Sequence, residues 1–176
     1  MIEQLDRIVE MMNQRYYGKY RGTVKSNADS ENCGKLEVTC PSVMGERSMW
    51  ALPCTPYAGD KVGFFAMPPA GASVWIEFEA GNINVPIWSG CFWTDGQIEA
   101  ADAVPSVMFL KTDGATLRID NDAGRIEIET KGGSKITMEG SSIKLEAPEV
   151  SIEANGGAAK VSAAGFEAMN GAFSVV

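Results

Sequence analysis

The stretch that decides the fold runs from Tyr57 to Trp93 and reads YAGDKVGFFAMPPAGASVWIEFEAGNINVPIWSGCFW. Aromatic and β-branched residues alternate in two runs, and glycine and proline interrupt the stretch at close intervals. Such a pattern predicts short strands joined by tight corners. The stretch therefore predicts a small β-barrel, and by itself it indicates no chemistry.

Alternating runs before this stretch complete the barrel. The predicted strands cover residues 16–26, 34–40, 49–54, 74–79 and 85–92. Five short strands with a long connection between the third and the fourth are typical of the oligonucleotide/oligosaccharide-binding (OB) fold. We therefore predict an all-β chain with a five-stranded OB-fold barrel at residues 16–93. Because this fold carries unrelated functions, it does not by itself indicate an activity.

The first fifteen residues have a helical pattern instead. Ile2, Leu5, Ile8 and Met12 recur at helical spacing, with charged residues between them. The resulting short amphipathic helix is marginal alone and needs a surface on which to pack. That surface is either the barrel or a neighbouring subunit, and the pattern does not distinguish the two.

The connection between the third and fourth strands, residues 56–71, is unusually apolar for a loop. It contains Phe64, Phe65 and Met67. Exposed apolar patches of this kind commonly mark interaction sites. We predict that these three side chains, together with Leu5, contact another subunit of the same protein or a separate hub protein.

Residues 94–105 form an acidic linker of small residues, and behind it the chain repeats weakly over residues 106–176. Apolar residues occur there in pairs separated by one residue, and from 136 to 152 successive pairs recur every seven residues. Each pair predicts a strand with two inward side chains, and each gap predicts a corner. The predicted core of this region consists of Leu117, Ile119, Ile126, Ile128, Ile136, Met138, Ile143, Leu145, Val150 and Ile152.

A strand with only two apolar side chains on one face buries too little to remain folded by itself. Three identical chains around a common axis would solve this problem, because each would supply one face of a triangular prism with the apolar pairs in its centre. Eight or nine strands at a spacing of ~4.8 Å would then make a rod of roughly 40 Å. We predict an intertwined trimeric β-helix in preference to a single-chain β-solenoid, and the regular alternation argues against disorder.

Composition excludes several classes of function. The formal net charge of -8 argues against binding a polyanion through diffuse electrostatics. The chain has no histidine, which excludes histidine-containing zinc sites and histidine-dependent catalytic triads. Its four cysteines contain no C-x-x-C pair, and we interpret them as buried small hydrophobes rather than disulfide partners. We expect no metal and no cofactor.

Residues 57–93 also contain a motif of spaced glycines and prolines around a hydrophobic strand. A proline and a glycine precede a hydrophobic strand that ends Phe-Glu-x-Gly, and a second proline and glycine follow it. The residues concerned are Tyr57, Ala58, Gly59, Gly63, Pro68, Gly71, Val74, Trp75, Ile76, Glu77, Phe78, Glu79, Gly81, Pro86 and Gly90. In this pattern the chain resembles the central spike proteins of contractile phage tails, the baseplate assembly protein V family, which is related to the Vgr spike of type VI secretion. Asn82 stands where that family often has Asp, and a turn should tolerate the exchange.

The resemblance implies a structural protein that is not an enzyme. It implies a homotrimer whose barrel sits under a ring-shaped hub and whose rod punctures the target cell envelope. It also implies a place in the virion tail baseplate, or in an equivalent injection particle, after assembly in the bacterial cytoplasm. Some similar spikes carry a lysozyme domain between barrel and rod, for which residues 94–105 leave no room. Other similar spikes end in an iron-binding histidine tip. This chain has no histidine, so we expect Phe173 and Val175 to seat a separate tip protein of the proline-alanine-alanine-arginine (PAAR) repeat kind.

Two functions of other classes compete with this interpretation. β-Helices also serve as polysaccharide-degrading enzymes, and Asp120, Asp122, Glu127 and Glu129 supply carboxylates that such chemistry needs. Their alternation with inward isoleucines favours a solvated face instead. An OB-fold that binds single-stranded nucleic acid would need a basic groove with stacking aromatics, and lysine and arginine are sparse beside the aromatics of this barrel.

Overall fold

A computed structural model describes residues 15–155, 157–168 and 172–175. The chain divides into two compact units, of which the first ends at Gln97 and the second begins at Ile98. The helix predicted at residues 1–15, with Leu5, lies outside the described residues except for its last position. Among the described residues, no helix is both long enough and apolar enough to cross a membrane.

Within its described residues, 15–97, the first unit contains seven strands, numbered in chain order, and two short helical turns. They are β1 (Tyr20–Ser26), β2 (Leu36–Thr39), a helical turn at Pro41–Met44, β3 (Ser48–Pro53), β4 (Ala58–Gly59), β5 (Val62–Gly63), β6 (Ser73–Phe78), a 3-10 turn at Glu79–Gly81 and β7 (Pro86–Cys91). Five of the strands close into a barrel in the order β1-β2-β3-β7-β6. Adjacent strands are antiparallel except for β3 and β7, which run parallel. The predicted all-β, five-stranded barrel is confirmed.

The barrel has its own core because alternate residues of each strand face inward. In β2, Leu36 and Val38 are fully buried while their neighbours are only partly buried, and β6 alternates in the same way. The buried apolar residues are Val24, Leu36, Val38, Cys40, Met44, Ala51, Val74, Ile76, Phe78 and Trp88. One face of each strand thus packs against the others within a single chain.

Gly22 permits β1 to lie close against its neighbours. A Cβ atom at this position would lie 2.6 Å from Cγ1 of Ile76 and 2.8 Å from the carbonyl oxygen of Thr39. Both distances are well below van der Waals contact, and the second atom belongs to the backbone. The barrel therefore requires glycine here.

Two boundaries differ from the prediction. β1 begins at Tyr20 rather than at residue 16, because the backbone N–H of Tyr16 is donated to the carbonyl oxygen of Gly81 at 2.9 Å instead of to a strand. The predicted loop at 41–48 contains the turn Pro41–Met44, which places Met44 in the barrel core.

The cysteines also differ from the prediction. All four are free thiols, but only Cys40 is buried, whereas Cys33, Cys54 and Cys91 are exposed. The interpretation as buried small hydrophobes is therefore wrong for three of the four. Cys91 ends β7, Cys54 directly follows β3, and Cys33 lies three residues before β2 begins.

The second unit consists of two antiparallel meanders. The strands β8 (Val107–Lys111), β9 (Ala115–Asp120), β10 (Arg125–Thr130), β11 (Lys135–Glu139) and β12 (Ser142–Glu146) form one sheet. The strands β13 (Glu149–Ala154), β14 (Gly157–Ser162), β15 (Gly165–Ala168) and β16 (Phe173–Val175) form the other. Each strand pairs antiparallel with the one before it within its sheet, so these ladders run within the chain. The strands are confirmed, and the trimeric β-helix stays a prediction.

Candidate interaction surfaces

One face of the five-stranded sheet carries two rows of apolar side chains. The register sets the members of each row directly opposite one another on successive strands. The first row is Met108, Ile119, Ile126, Met138 and Ile143, and the second is Leu110, Leu117, Ile128, Ile136 and Leu145. Cross-strand pairs of this kind stabilise a sheet. The face is nevertheless open, since Ile143 is 71% exposed and Met108 is 61% exposed.

The four-stranded sheet repeats this arrangement with smaller residues. Its rows are Val150, Val161, Phe166 and Val175, and Ile152, Ala159, Ala168 and Phe173. The rings of Phe166 and Phe173 meet edge to face, with 6.2 Å between their centroids. Ile152, Phe173 and Val175 are 69%, 57% and 55% exposed. The two residues predicted to contact a tip protein thus lie together on an open face of the strand β16.

All ten residues predicted as the rod core lie in these rows. The structure brings them onto one face of each sheet, but it does not bury them, because the fully buried apolar side chains among the described residues all lie between Val24 and Trp88. Their role as a core stays a prediction that requires an assembly. Sequence reasoning missed Met108, Leu110, Val161 and Phe166. In β8 four apolar residues in succession hide the alternation, and in β14 and β15 alanine takes one position of each pair.

The opposite face of the five-stranded sheet carries paired charges. The guanidinium of Arg118 contacts carboxylate oxygens of Asp120 at 3.0 Å and Asp102 at 3.3 Å. The carboxylate of Glu127 accepts a hydrogen bond from the Nζ of Lys135 and lies 3.6 Å from Nε of Arg125. The sheet therefore separates an apolar face from an ion-paired one.

The same contacts bear on the carboxylates that a sugar-directed enzyme would use. The hydrogen bond from Lys135 lowers the pKa of Glu127. The backbone N–H of Ala123, followed by Arg118, lowers the pKa of Asp120. A glycosidase needs one carboxyl group with a raised pKa to act as the general acid. The pKa values of Glu127 and Asp120 are lowered instead, and both carboxylates belong to ion pairs.

Asp102 ties the predicted linker to the second unit. Besides its contact with Arg118, its carboxylate lies 3.8 Å from Nζ of Lys111. Nearby, the backbone N–H of Asn121 is donated to the carbonyl oxygen of Ser106 at 2.9 Å. The last part of the segment 94–105 is therefore held on the charged side of the sheet rather than spanning freely.

The connection between β3 and β6 lines a broad groove of about 1320 Å³ on the barrel. Phe64 and Phe65, both predicted contact residues, are 57% and 76% exposed. Met67, the third, is partly buried and packs against the barrel core. The structure thus leaves two of the three predicted side chains available to a partner, and that contact stays a prediction.

Two hydrogen-bond arrangements hold the wall of the groove at the start of β2. The indole Nε1–H of Trp88 is donated to the carbonyl oxygen of Gly34 at 3.0 Å. The carboxylate of Asp29 accepts backbone N–H groups from Glu31 at 3.0 Å, Cys33 at 2.7 Å and Lys35 at 3.1 Å. Desolvation raises the pKa of Asp29, but the backbone donors together outweigh it and lower the pKa. The carboxylate is thus the centre around which this loop is arranged.

Three lysines of the barrel unit, Lys19, Lys25 and Lys35, contact acidic side chains. Nζ of Lys19 lies 2.6 Å from a carboxylate oxygen of Glu77, and Nζ of Lys25 lies 3.0 Å from one of Glu37. Arg21 lies over the ring of Trp75 at 5.9 Å. Ion-paired lysines leave little net positive charge for a nucleic-acid backbone. Within the described ranges, moreover, no cluster of His, Cys, Asp or Glu is placed to hold a metal ion.

These features match one known family. Residues 20–93 match the model of the type VI secretion system/phage-baseplate injector OB domain. The barrel is similar to this injector OB domain. The matched range begins at the first residue of β1 and ends two residues after β7, so it coincides with the closed barrel. The resemblance to baseplate spikes is confirmed for the injector OB domain, and no curated protein matches the chain.

Proposed function

We propose that the protein is the homotrimeric spike of a contractile injection baseplate and that its work is mechanical. The observation that carries the proposal is the open apolar face of the second unit. Two continuous rows of large apolar side chains cross the five-stranded sheet, and the four-stranded sheet shows the same pattern. A sheet with one apolar face must cover that face with another layer. Three copies of the chain supply that layer.

The width of the apolar strip supports three copies. A strand of six residues is about 20 Å long, and a triangle with that edge has an inner radius of about 6 Å. That radius is close to half the ~10 Å separation of packed sheets, so side chains from three faces meet at the axis without a void. Two facing strips would leave both long sides open to water, whereas a triangular prism has no open side.

The ion pairs on the other face support the same orientation. Arg118, Asp120 and Glu127 satisfy one another on the sheet itself, so this face needs no partner and forms the outside of the prism. Rows that interlock along the axis resist bending because several layers must separate together. Such a rod can transmit axial force to a small area of cell envelope, and we propose this puncturing role for residues 106–176.

We further propose that the barrel joins the rod to the hub ring of the baseplate. The exposed Phe64 and Phe65 are the contact side chains. At the other end of the chain, Phe173 and Val175 on β16 receive a separate tip protein of the PAAR kind. Removing residues 172–176 is expected to abolish capture of such a tip protein in a pull-down, and undiminished capture would contradict this contact.

The oligomeric state tests the central proposal. The full chain is purified and its mass is measured by light scattering after size exclusion, over a hundredfold range of concentration. We expect a mass of three chains at every concentration and a trimer band that persists in SDS without heating. A stable monomer of the full chain would overturn the spike proposal.

A further inference from the structure

We infer that Cys33 and Cys54 form a cross-strand disulfide when the protein meets an oxidising environment. Both thiols are free and exposed in the structure. In β2 and β3, Leu36 lies opposite Ala51 and Glu37 lies opposite Trp50. If this register continues for three residues, Cys33 lies directly opposite Cys54.

Two observations bring the two segments together beyond Leu36 and Ala51, where the paired register ends, although Gly34 has a left-handed φ of 77°. A Cβ atom at Gly34 would lie 3.3 Å from Cγ of Pro53, its expected partner one position before the cysteines. The burial alternation also runs on past the ends of both strands, because Gly34 is buried like Leu36 while Cys33 and Cys54 are exposed. Both cysteines therefore lie on the outer face of the barrel.

The backbone hydrogen bonds indicate that Cys33 and Cys54 form a non-hydrogen-bonded pair, the type in which opposite side chains lie closest. The N–H of Cys33 is donated to the carboxylate of Asp29 at 2.7 Å, and the N–H of Cys54 to the carbonyl oxygen of Trp88 at 2.8 Å. Neither N–H is therefore donated to the opposite cysteine. Opposite residues in a non-hydrogen-bonded antiparallel pair have Cα atoms about 4.5 Å apart, which falls within the ~4.4–6.8 Å span of disulfides. Sγ of Cys33 now contacts the carbonyl oxygen of Glu31 at 3.4 Å, so closure requires a turn about χ1.

Cys91, the third exposed thiol on this groove, is a poor alternative partner. Because β3 lies between β2 and β7, Cys33 is about two strand spacings, or ~9.6 Å, from β7. Pro53 pairs with Trp88, so Cys54 faces Ser89, and Cys91 lies about 7 Å further along the strand. Although the residue as a whole is exposed, desolvation of its thiol raises the pKa of Cys91, which reduces its reactive thiolate fraction.

The chemistry is thiol–disulfide exchange with a small-molecule disulfide. One cysteine thiolate attacks the reagent, forms a mixed disulfide and releases one thiol. The second thiolate then attacks the protein sulfur of that mixed disulfide, the Cys33–Cys54 bond forms, and a second thiol leaves. The protein loses two hydrogens and the reagent gains them. On the proposed function, the pair would stay reduced during assembly in the cytoplasm and close after release of the particle.

The consequence is a fixed edge of the groove. The bond joins the start of β2 to the residue at which the β3–β6 connection begins. It therefore constrains the origin of the segment that carries Phe64 and Phe65. Because it closes a loop of about 20 residues, it also restricts the unfolded chain.

The test uses the reduced full chain treated with oxidised glutathione, then alkylated and examined by intact mass and peptide mapping. We expect a loss of two hydrogens, one intrachain peptide pair joining residues 33 and 54, and a barrel melting temperature higher by about 5 °C or more. Cys33→Ser and Cys54→Ser each abolish the pair, while the control Cys91→Ser retains it.

Stable glutathione adducts without an intrachain bond would overturn the inference, as would a bond to Cys91 or a link between chains. The light-scattering mass of the same samples reports the trimer separately. The disulfide can therefore fail while the spike proposal holds, or the reverse.

Discussion

The barrel and the strand repeat are built from the same alternation of apolar and polar residues, yet they reach opposite results. In the barrel, Leu36, Val74 and Ile76 are fully buried within one chain. In the repeat, residues of the same type remain open, and Ile152 is 69% exposed. The difference is closure: β6 pairs with β1 in the barrel, whereas neither meander closes on itself among the described residues. Alternation thus defines a face, but closure decides whether the chain covers that face itself.

The largest expected effect comes from placing an amide in the open rows. Ile128→Asn puts a polar group into the centre of the proposed prism in all three chains. We expect a cost of about 3 kcal/mol per chain and roughly three times that per trimer, enough to dissociate it. Light scattering measures the loss of the trimer, and the tryptophan fluorescence of the barrel should not change. The matched control is Glu129→Asn. Residue 129 is adjacent to Ile128 in sequence but lies on the opposite face of the sheet, so this variant should keep the trimer. Equal behaviour of the two variants would mean that the apolar rows are not an interface.

The next effect tests the self-sufficient core of the barrel. Leu36→Ala removes a fully buried side chain and should lower the free energy of unfolding by about 3 kcal/mol. Since the barrel core lies within one chain, the shift in its melting temperature should not depend on protein concentration. Leu52→Ala, at a position that is 41% exposed, should cost far less. A concentration-dependent shift for Leu36→Ala would show that the barrel, too, relies on its neighbours.

A smaller effect concerns the ion-paired face of the repeat. Contacts led by Lys135 lower the pKa of Glu127 from 4.5. A carboxyl group whose pKa is lower in the folded state stabilises the fold above its unfolded pKa and loses that contribution as the pH falls through the folded value. Glu127→Gln should therefore destabilise the second unit by up to about 1 kcal/mol at pH 7 and make its stability less dependent on pH below 4.5. Thermal melts between neutral and acidic pH measure this, with Glu129→Gln as the exposed control. Parallel pH profiles for wild type and Glu127→Gln would assign the acid response to other groups.

The smallest effect on folding is expected at the groove. Phe65 is 76% exposed, so Phe65→Ser should change the free energy of unfolding by only about 0.5 kcal/mol or less. Binding to the hub should nevertheless fall measurably in an interaction assay with the purified hub protein. Met67→Ser is the informative comparison, because Met67 packs against the barrel core and its replacement should lower stability. Unchanged hub binding by a folded Phe65→Ser protein would remove this side chain from the proposed contact.

Sequence reasoning reached the strands more readily than their surroundings. Period-two alternation is a local property, so residues 34–40 and 74–79 were recognisable as strands to within two residues of β2 and one residue of β6. Tyr16 was misassigned because its backbone N–H is donated to the carbonyl oxygen of Gly81, which is remote in sequence, instead of to a neighbouring strand. The prediction that the cysteines are buried was wrong for a similar reason. Cysteine is a residue type that is often buried, but the outward position of Cys33 and Cys54 follows from a register that only the pairing of two strands defines.

Three features were readable from the chain, because each depends on neighbours a few residues apart. They are the alternating faces of β2 and β6, the motif of glycines and prolines in residues 57–93, and the weak repeat behind it. Tertiary structure alone decided that the first set of strands closes and the second does not, that Asp102 anchors the linker, and that Cys33 faces Cys54. These are long-range outcomes, in which hydrogen bonds and packing join residues that no local spacing relates. The same reasoning applies to the open apolar rows, because what covers them is a property of the assembly and not of a single chain.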